Sequence, residues 1–141
     1  MNNQLCTLDE ARALVDAGKI LLISGAEAAL AKLPLGKWIG ATTPYFMQFS
    51  GCVYNETMLF ITDFTELVSG FKVASYSAQE LPSFSVDTFE NGFSVVVLPA
   101  FSGVVSEFGL HSLSYNGIFD NAILGFVAGV ALSQLGTVKA R

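Results

Sequence analysis

The first 42 residues carry two helix-to-strand steps in succession, and that pattern narrows the fold class more than any other feature of the chain. Thr7-Leu8-Asp9-Glu10 has the spacing of a capping box, in which the Thr7 hydroxyl accepts from the Glu10 amide and Glu10 reaches back. Leu8, Ala11, Leu14 and Val15 then recur with helical spacing, and Gly18 stops the helix. Ile20-Leu21-Leu22-Ile23 is a short apolar run, typical of a strand covered on both faces. Ser24-Gly25-Ala26-Glu27 caps a second helix that carries Ala28, Leu30 and Ala31 towards Leu33, and Pro34 and Gly36 end it. Trp38-Ile39-Gly40-Ala41-Thr42 reads as the next strand. A parallel crossover between these strands is right-handed. The expected fold is α/β: a single domain over residues 1–141, with a mixed sheet and flanking short helices.

Further along, Met58–Asp63 has the composition of a buried strand, and Phe71–Tyr76 alternates like an edge strand. Gln79–Asn91 is ambiguous, because Pro82 opposes a long helix there. Gly92–Leu98 is the plainest strand, β-branched and bounded by Asn91-Gly92 and Pro99. Val104–Ser112 reads as a helix. The apolar stretch Ala122–Leu132 is a helix or a strand; Gly125 and Gly129 weaken the helical reading. Five residues follow Gly136, so the domain either closes on that element or lacks a C-terminal half.

Charged residues make up 13% of the chain and hydrophobic ones 52%, against roughly 25% charged in an ordinary soluble domain. With so few charges to cover a surface, a homo-oligomer or larger assembly is expected. The seven Lys and Arg are scattered singly from Arg12 to Arg141, and the formal net charge is -5. That distribution argues against nucleic acid and against anionic lipid, both of which need clustered cations. The stretch 122–132 is shorter than the roughly 20 residues of a membrane span. The polar start Met1-Asn2-Asn3-Gln4 lacks the features of a secretion signal. Cys6 and Cys52 have neither metal nor redox spacing and read as free thiols. A cytoplasmic location follows as the expectation.

No complete catalytic motif is present, so the chain reads as non-enzymatic. Phosphate cradles of the G-x-x-x-x-G-K-[ST] and G-x-G-x-x-G types are absent. A serine triad drawn from Ser102 or Ser106, His111 and Asp120 lacks the G-x-S-x-G elbow. His111 is the one histidine; it suits a general base, a metal ligand or a haem ligand, or an exposed or carbonyl-bonded side chain. A structural zinc needs about four Cys or His ligands, and the chain has two Cys and one His. Of the twelve phenylalanines, Phe46, Phe49, Phe60, Phe64, Phe84, Phe89, Phe93 and Phe101 are most simply core.

The run Leu33–Phe46 holds the sole tryptophan, two glycines and two of the four prolines. If Gly40 ends a sheet strand, Ala41, Thr42 and Thr43 present amides and hydroxyls at the carboxyl edge, where open α/β sheets bind ligands. The candidate ligand-binding set is Trp38, Gly40, Thr42, Thr43 and Tyr45, joined by Ser102, His111 and Tyr115 from the second half. The expected function is non-enzymatic binding of a small molecule. The alternatives are a homo-oligomeric assembly or partner-interaction protein, and a small enzyme using His111.

Two stretches, Leu30–Phe60 and Gly92–Pro99 with Gly117-Ile118-Phe119 and Gly125–Gly129, resemble the amino-terminal part of FIST-type sensory domains and related bacterial proteins. The resemblance implies an α/β ligand-sensing module of bacterial signalling. It implies small metabolites such as amino acids as ligands, and haem in some relatives, here through His111. The cysteine-containing turn of those domains is replaced by Ala41-Thr42-Thr43.

Overall fold

Helix α1 (Leu8–Asp16) starts where the capping box puts it: Glu10 N donates to Thr7 Oγ1 at 3.4 Å, and Thr7 N donates to Glu10 Oε2 at 2.8 Å. Two amides that the first turn would leave without partners are thereby satisfied. The chain leaves α1 through Gly18 at φ 73°, a left-handed conformation that glycine adopts without strain. The structure, a computed structural model, describes residues 2–48 and 50–129. It is mixed α/β, with several small sheets and a few short helices. Its contacts gather into two units, Met1–Phe71 and Lys72–Arg141.

The first unit is built on a four-stranded mixed sheet in the order β1 (Asn2–Cys6), β6 (Leu59–Asp63), β2 (Leu21–Gly25), β3 (Trp38–Thr42). Strands β2 and β3 are parallel, with Leu21 opposite Trp38 and Gly25 opposite Thr42. Strand β6 runs antiparallel to both β1 and β2. The connection between β2 and β3 carries α2 (Glu27–Leu30), a single turn and not the longer helix expected. The reason is local: β2 takes up Ser24 and Gly25, so the cap falls on Ala26, which has no side chain to hold an amide. A hairpin of β4 (Tyr45–Gln48) and β5 (Gly51–Tyr54) follows β3.

The core of this unit lies between α1 and the sheet. Leu21, Ile23, Leu59 and Ile61 are fully buried there, with Ala11 and Val15 of α1 and Ala29 of α2. Cys6 joins them, and burial pushes its thiol up; both cysteines are free. Phe60 alternates with Leu59 and Ile61 and so points to the opposite face, where Phe46 of β4 stacks on it at 6.3 Å.

No strand forms over Phe71–Tyr76, where the first unit gives way to the second, contrary to the alternation there. Alternation makes a strand only where a partner edge exists; here the Lys72 and Tyr76 side chains are bound to Asp87 instead. The ambiguous region resolves into a 3-10 helix, Leu81–Asp87, entered at Pro82. A β-α-β run follows: β7 (Phe93–Pro99), α3 (Gly103–His111) and β8 (Ala122–Ala128). Strands β7 and β8 are parallel, with Phe93 opposite Ala122 and Pro99 opposite Ala128. The final apolar stretch is thus a strand to Ala128, while Val130, Ala131 and Leu132 lie outside the described residues. Leu81, Phe84, Tyr115 and Ile118 form the core, with Val104, Phe108 and Ile123 against it. Phe89, Phe93 and Phe101, expected in the core, are exposed; Phe101 sits at φ 58° in the turn before α3. Phe49 lies outside the described residues.

Candidate functional site

The eight candidate residues divide between the units: Trp38, Gly40, Thr42, Thr43 and Tyr45 in the first, Ser102, His111 and Tyr115 in the second. Trp38 and Gly40 point to the same face of β3, two residues apart. Trp38 Nε1 donates to Pro34 O at 2.9 Å, which holds the indole against the turn before the strand. A Cβ on Gly40 would stand 2.9 Å from Trp38 Cζ3 and 3.5 Å from Ile23 O. The glycine therefore makes room for the indole, which occupies the space that a ligand at Gly40 would need.

Thr42 ends β3 opposite Gly25, half-buried at the carboxyl edge of the parallel pair. The next two positions are engaged in the chain's own turn. Thr43 N donates to Gly25 O at 2.9 Å, and Tyr45 N donates to Thr43 Oγ1 at 3.2 Å. The Tyr45 ring lies 5.2 Å from that of Tyr54 across the hairpin. Thr42 itself is paired in the ladder through its backbone, and its hydroxyl makes no hydrogen bond among the described residues.

In the second unit Ser102 is the N-cap of α3. Val105 N donates to Ser102 Oγ at 3.4 Å, and that hydroxyl donates to Pro99 O at 2.6 Å. Its proton is directed at a carbonyl and not at an imidazole, so no serine triad is assembled around it. Tyr115 and His111 are brought together by Glu107. Tyr115 Oη donates to Glu107 Oε1 at 3.1 Å, and His111 Nε2 lies 3.9 Å from Glu107 Oε2. The helical spacing of 107 and 111 was the available signal. Tyr115 is buried beside Phe84 and Phe108, and burial, with Glu107 at its hydroxyl, pushes its pKa up. His111 stands on the last turn of α3 with its side chain 59% exposed. Among the described residues no group of three His, Cys, Asp or Glu side chains could hold a metal ion.

A second polar cluster had no sequence signal. Lys72 Nζ and Tyr76 Oη bind opposite oxygens of Asp87, at the end of the 3-10 helix. Lys72, then Tyr76, hold the Asp87 carboxyl below its usual range. Burial first, then the Asp87 carboxylate, push Tyr76 up to about 12. A tyrosine raised from about 10 stabilises the fold fully below that pH and loses its contribution as pH rises through the folded value. We therefore expect part of the alkaline destabilisation between pH 10 and about 12 to vanish in Tyr76→Phe. Urea midpoints measured across that range check it; an unchanged alkaline profile in the variant removes Tyr76 as its source.

The most unusual surface is the β7–β8 sheet. Ile123 faces the core, so Leu124 and Phe126 stand on the other face, 48% and 37% exposed, beside Val95 and Val97. No charged residue occurs from Gly92 to Ser106 or from Asn121 to Gly129. Parallel sheets are normally covered on both faces. On the Ile123 side, Ile123 packs with Val104 and Phe108 against the unit's core while Val127 is 58% exposed; the other face is apolar throughout, with Leu124 and Phe126 half-exposed.

Fold and surface together define a small mixed α/β protein with an apolar sheet face. Residues 6–141 match the model of a family of unknown function, DUF6976, and the chain belongs to that family. No curated protein and no solved structure matches it, and nothing in these comparisons links it to FIST-type domains. No helix among the described residues is long and apolar enough to cross a membrane.

Proposed function

We propose that the chain is an assembly module that acts through protein contact on the β7–β8 sheet and not through chemistry. The observation that carries this reading is the open, charge-free face of Leu124 and Phe126. Full burial of an apolar side chain of this size is worth about 1.5–3 kcal/mol, so covering the half-exposed pair would reward a partner. The low overall charge supports the same reading. Light scattering on the native chain and on Leu124→Lys tests it. The native chain is expected above monomer mass, alone or with a stoichiometric partner, and the variant as a folded monomer. A native chain that is a bare monomer at every concentration overturns the reading.

A second reading is supported by the placement of Thr42 and Gly25 at the carboxyl edge of the parallel pair. On this reading the chain senses a small molecule in the bacterial cytoplasm, as the likeness to FIST-type domains implies. Native mass spectrometry tests it: a co-purifying molecule that is lost in Thr42→Ala supports it, and an empty protein removes it.

A further inference from the structure

We propose that the partner of the β7–β8 sheet is a second copy of this chain, whose β8 pairs edge to edge and antiparallel with β8 about a two-fold axis at Gly125, which lays Leu124 of one copy beside Phe126 of the other on the same apolar face. The inference rests on the reading of this sheet as an assembly surface, and it names both the partner and the contact.

The hydrogen-bond pattern shows which backbone groups are on offer. Ala100 N donates to Ala128 O at 2.8 Å, so Ala128 turns its carbonyl towards β7. Backbone groups alternate sides along a strand, so Ile123, Gly125 and Val127 turn theirs to the outer edge of β8. Among the described residues β8 pairs with β7 alone. By the same alternation Pro99 faces outward on the far edge of β7, where its nitrogen has no hydrogen to donate. That edge is blunted. The β8 edge carries no proline and no charge, the usual devices against pairing.

Gly125 is the midpoint of β8 and is not required by the chain's own packing. A Cβ there would meet nothing within 4 Å, and its φ is outside the left-handed region. Glycine weakens a strand interior and marks places where another backbone approaches closely. Pairing about Gly125 sets Ile123 against Val127 of the second copy and Leu124 against Phe126. Every cross-strand pair is then apolar. The three outward-facing residues meet their own kind, so each donor finds an acceptor, about six hydrogen bonds in all. Two copies of net charge -5 repel each other at long range, and the contact falls where that repulsion is least, because Asn121–Gly129 holds no charge. The two Asp120 side chains fall at opposite ends of the paired strands, several Debye lengths apart (about 8–10 Å each).

Cross-linking tests the geometry. Cα atoms of a hydrogen-bonded antiparallel pair lie about 5.5 Å apart, within the reach of a disulfide. In a Cys52→Ser background, Gly125→Cys is expected to oxidise to a covalent dimer, and Leu110→Cys, exposed on α3, is not. Val127→Pro removes an outward donor and leaves the β7–β8 ladder intact; the dimer is expected to weaken at least about tenfold. A dimer that survives Val127→Pro and gives no Gly125→Cys cross-link, but is lost in Leu124→Lys, overturns strand pairing and leaves the assembly reading standing. A stoichiometric complex with a different protein overturns the second copy alone. A monomer throughout overturns both.

Discussion

Leu59→Ala is expected to cost about 2–5 kcal/mol of stability, read as a lower urea midpoint with an unchanged slope. Leu59 is fully buried where β6 meets both of its neighbours, opposite Cys6 of β1 and Gly25 of β2. Its Cδ2 stands 2.3 Å from the point a Cβ on Gly25 would occupy. Glycine at 25 is therefore the space that leucine at 59 fills. Gly25→Ala in the native background forces that side chain aside and is expected to cost about 1–3 kcal/mol. In the Leu59→Ala background the same change meets a cavity, and its cost is expected to fall close to zero or reverse. The double-mutant cycle reads this coupling directly. Strict additivity would mean that the two residues do not share the space.

Tyr115→Ala is expected to cost about 3–5 kcal/mol. The ring lies 6.4 Å from Phe84 and 6.3 Å from Phe108, at the centre of the second unit's core. Tyr115→Phe keeps the ring and removes only the hydrogen bond to Glu107, for about 0.5–1.5 kcal/mol. Glu107 is partly exposed and can take water in its place. Thermal denaturation of the two variants separates ring from hydroxyl. Equal losses would place the stabilisation in the Tyr115–Glu107 bond and not in the packing.

The elements legible in the sequence are those whose signals are local. The Thr7–Glu10 box, the run at 20–23, the strand at 38–42 and the β-branched run at 93–98 all appear where their residues place them. Strand β1 was not legible, because Asn2, Asn3 and Gln4 have poor strand propensity and become a strand by pairing with Thr62, Asp63 and Ile61. Hairpin β4–β5 is not legible because no Asn-Gly or Asp-Gly pair separates Gln48 from Gly51. At the candidate site, the Trp38–Gly40 pairing was implicit in a two-residue spacing. The Lys72–Tyr76–Asp87 cluster was not, since a 3-10 helix brings Asp87 back to residues 11 and 15 positions earlier. The strand at 122–128 stayed ambiguous because its glycines speak against a helix without naming a partner.

The strand order of the first unit also bears on how the chain is made. Strand β6 is the last of its four strands in sequence, yet it lies between β1 and β2. On the ribosome, β2 and β3 can pair as soon as residue 42 is free, because a short connection joins them. Strand β1, although synthesised first, has no neighbour until Leu59–Asp63 emerges and inserts. The sheet therefore closes in one late step, and until then the nascent chain carries two strand edges that only β6 can cover.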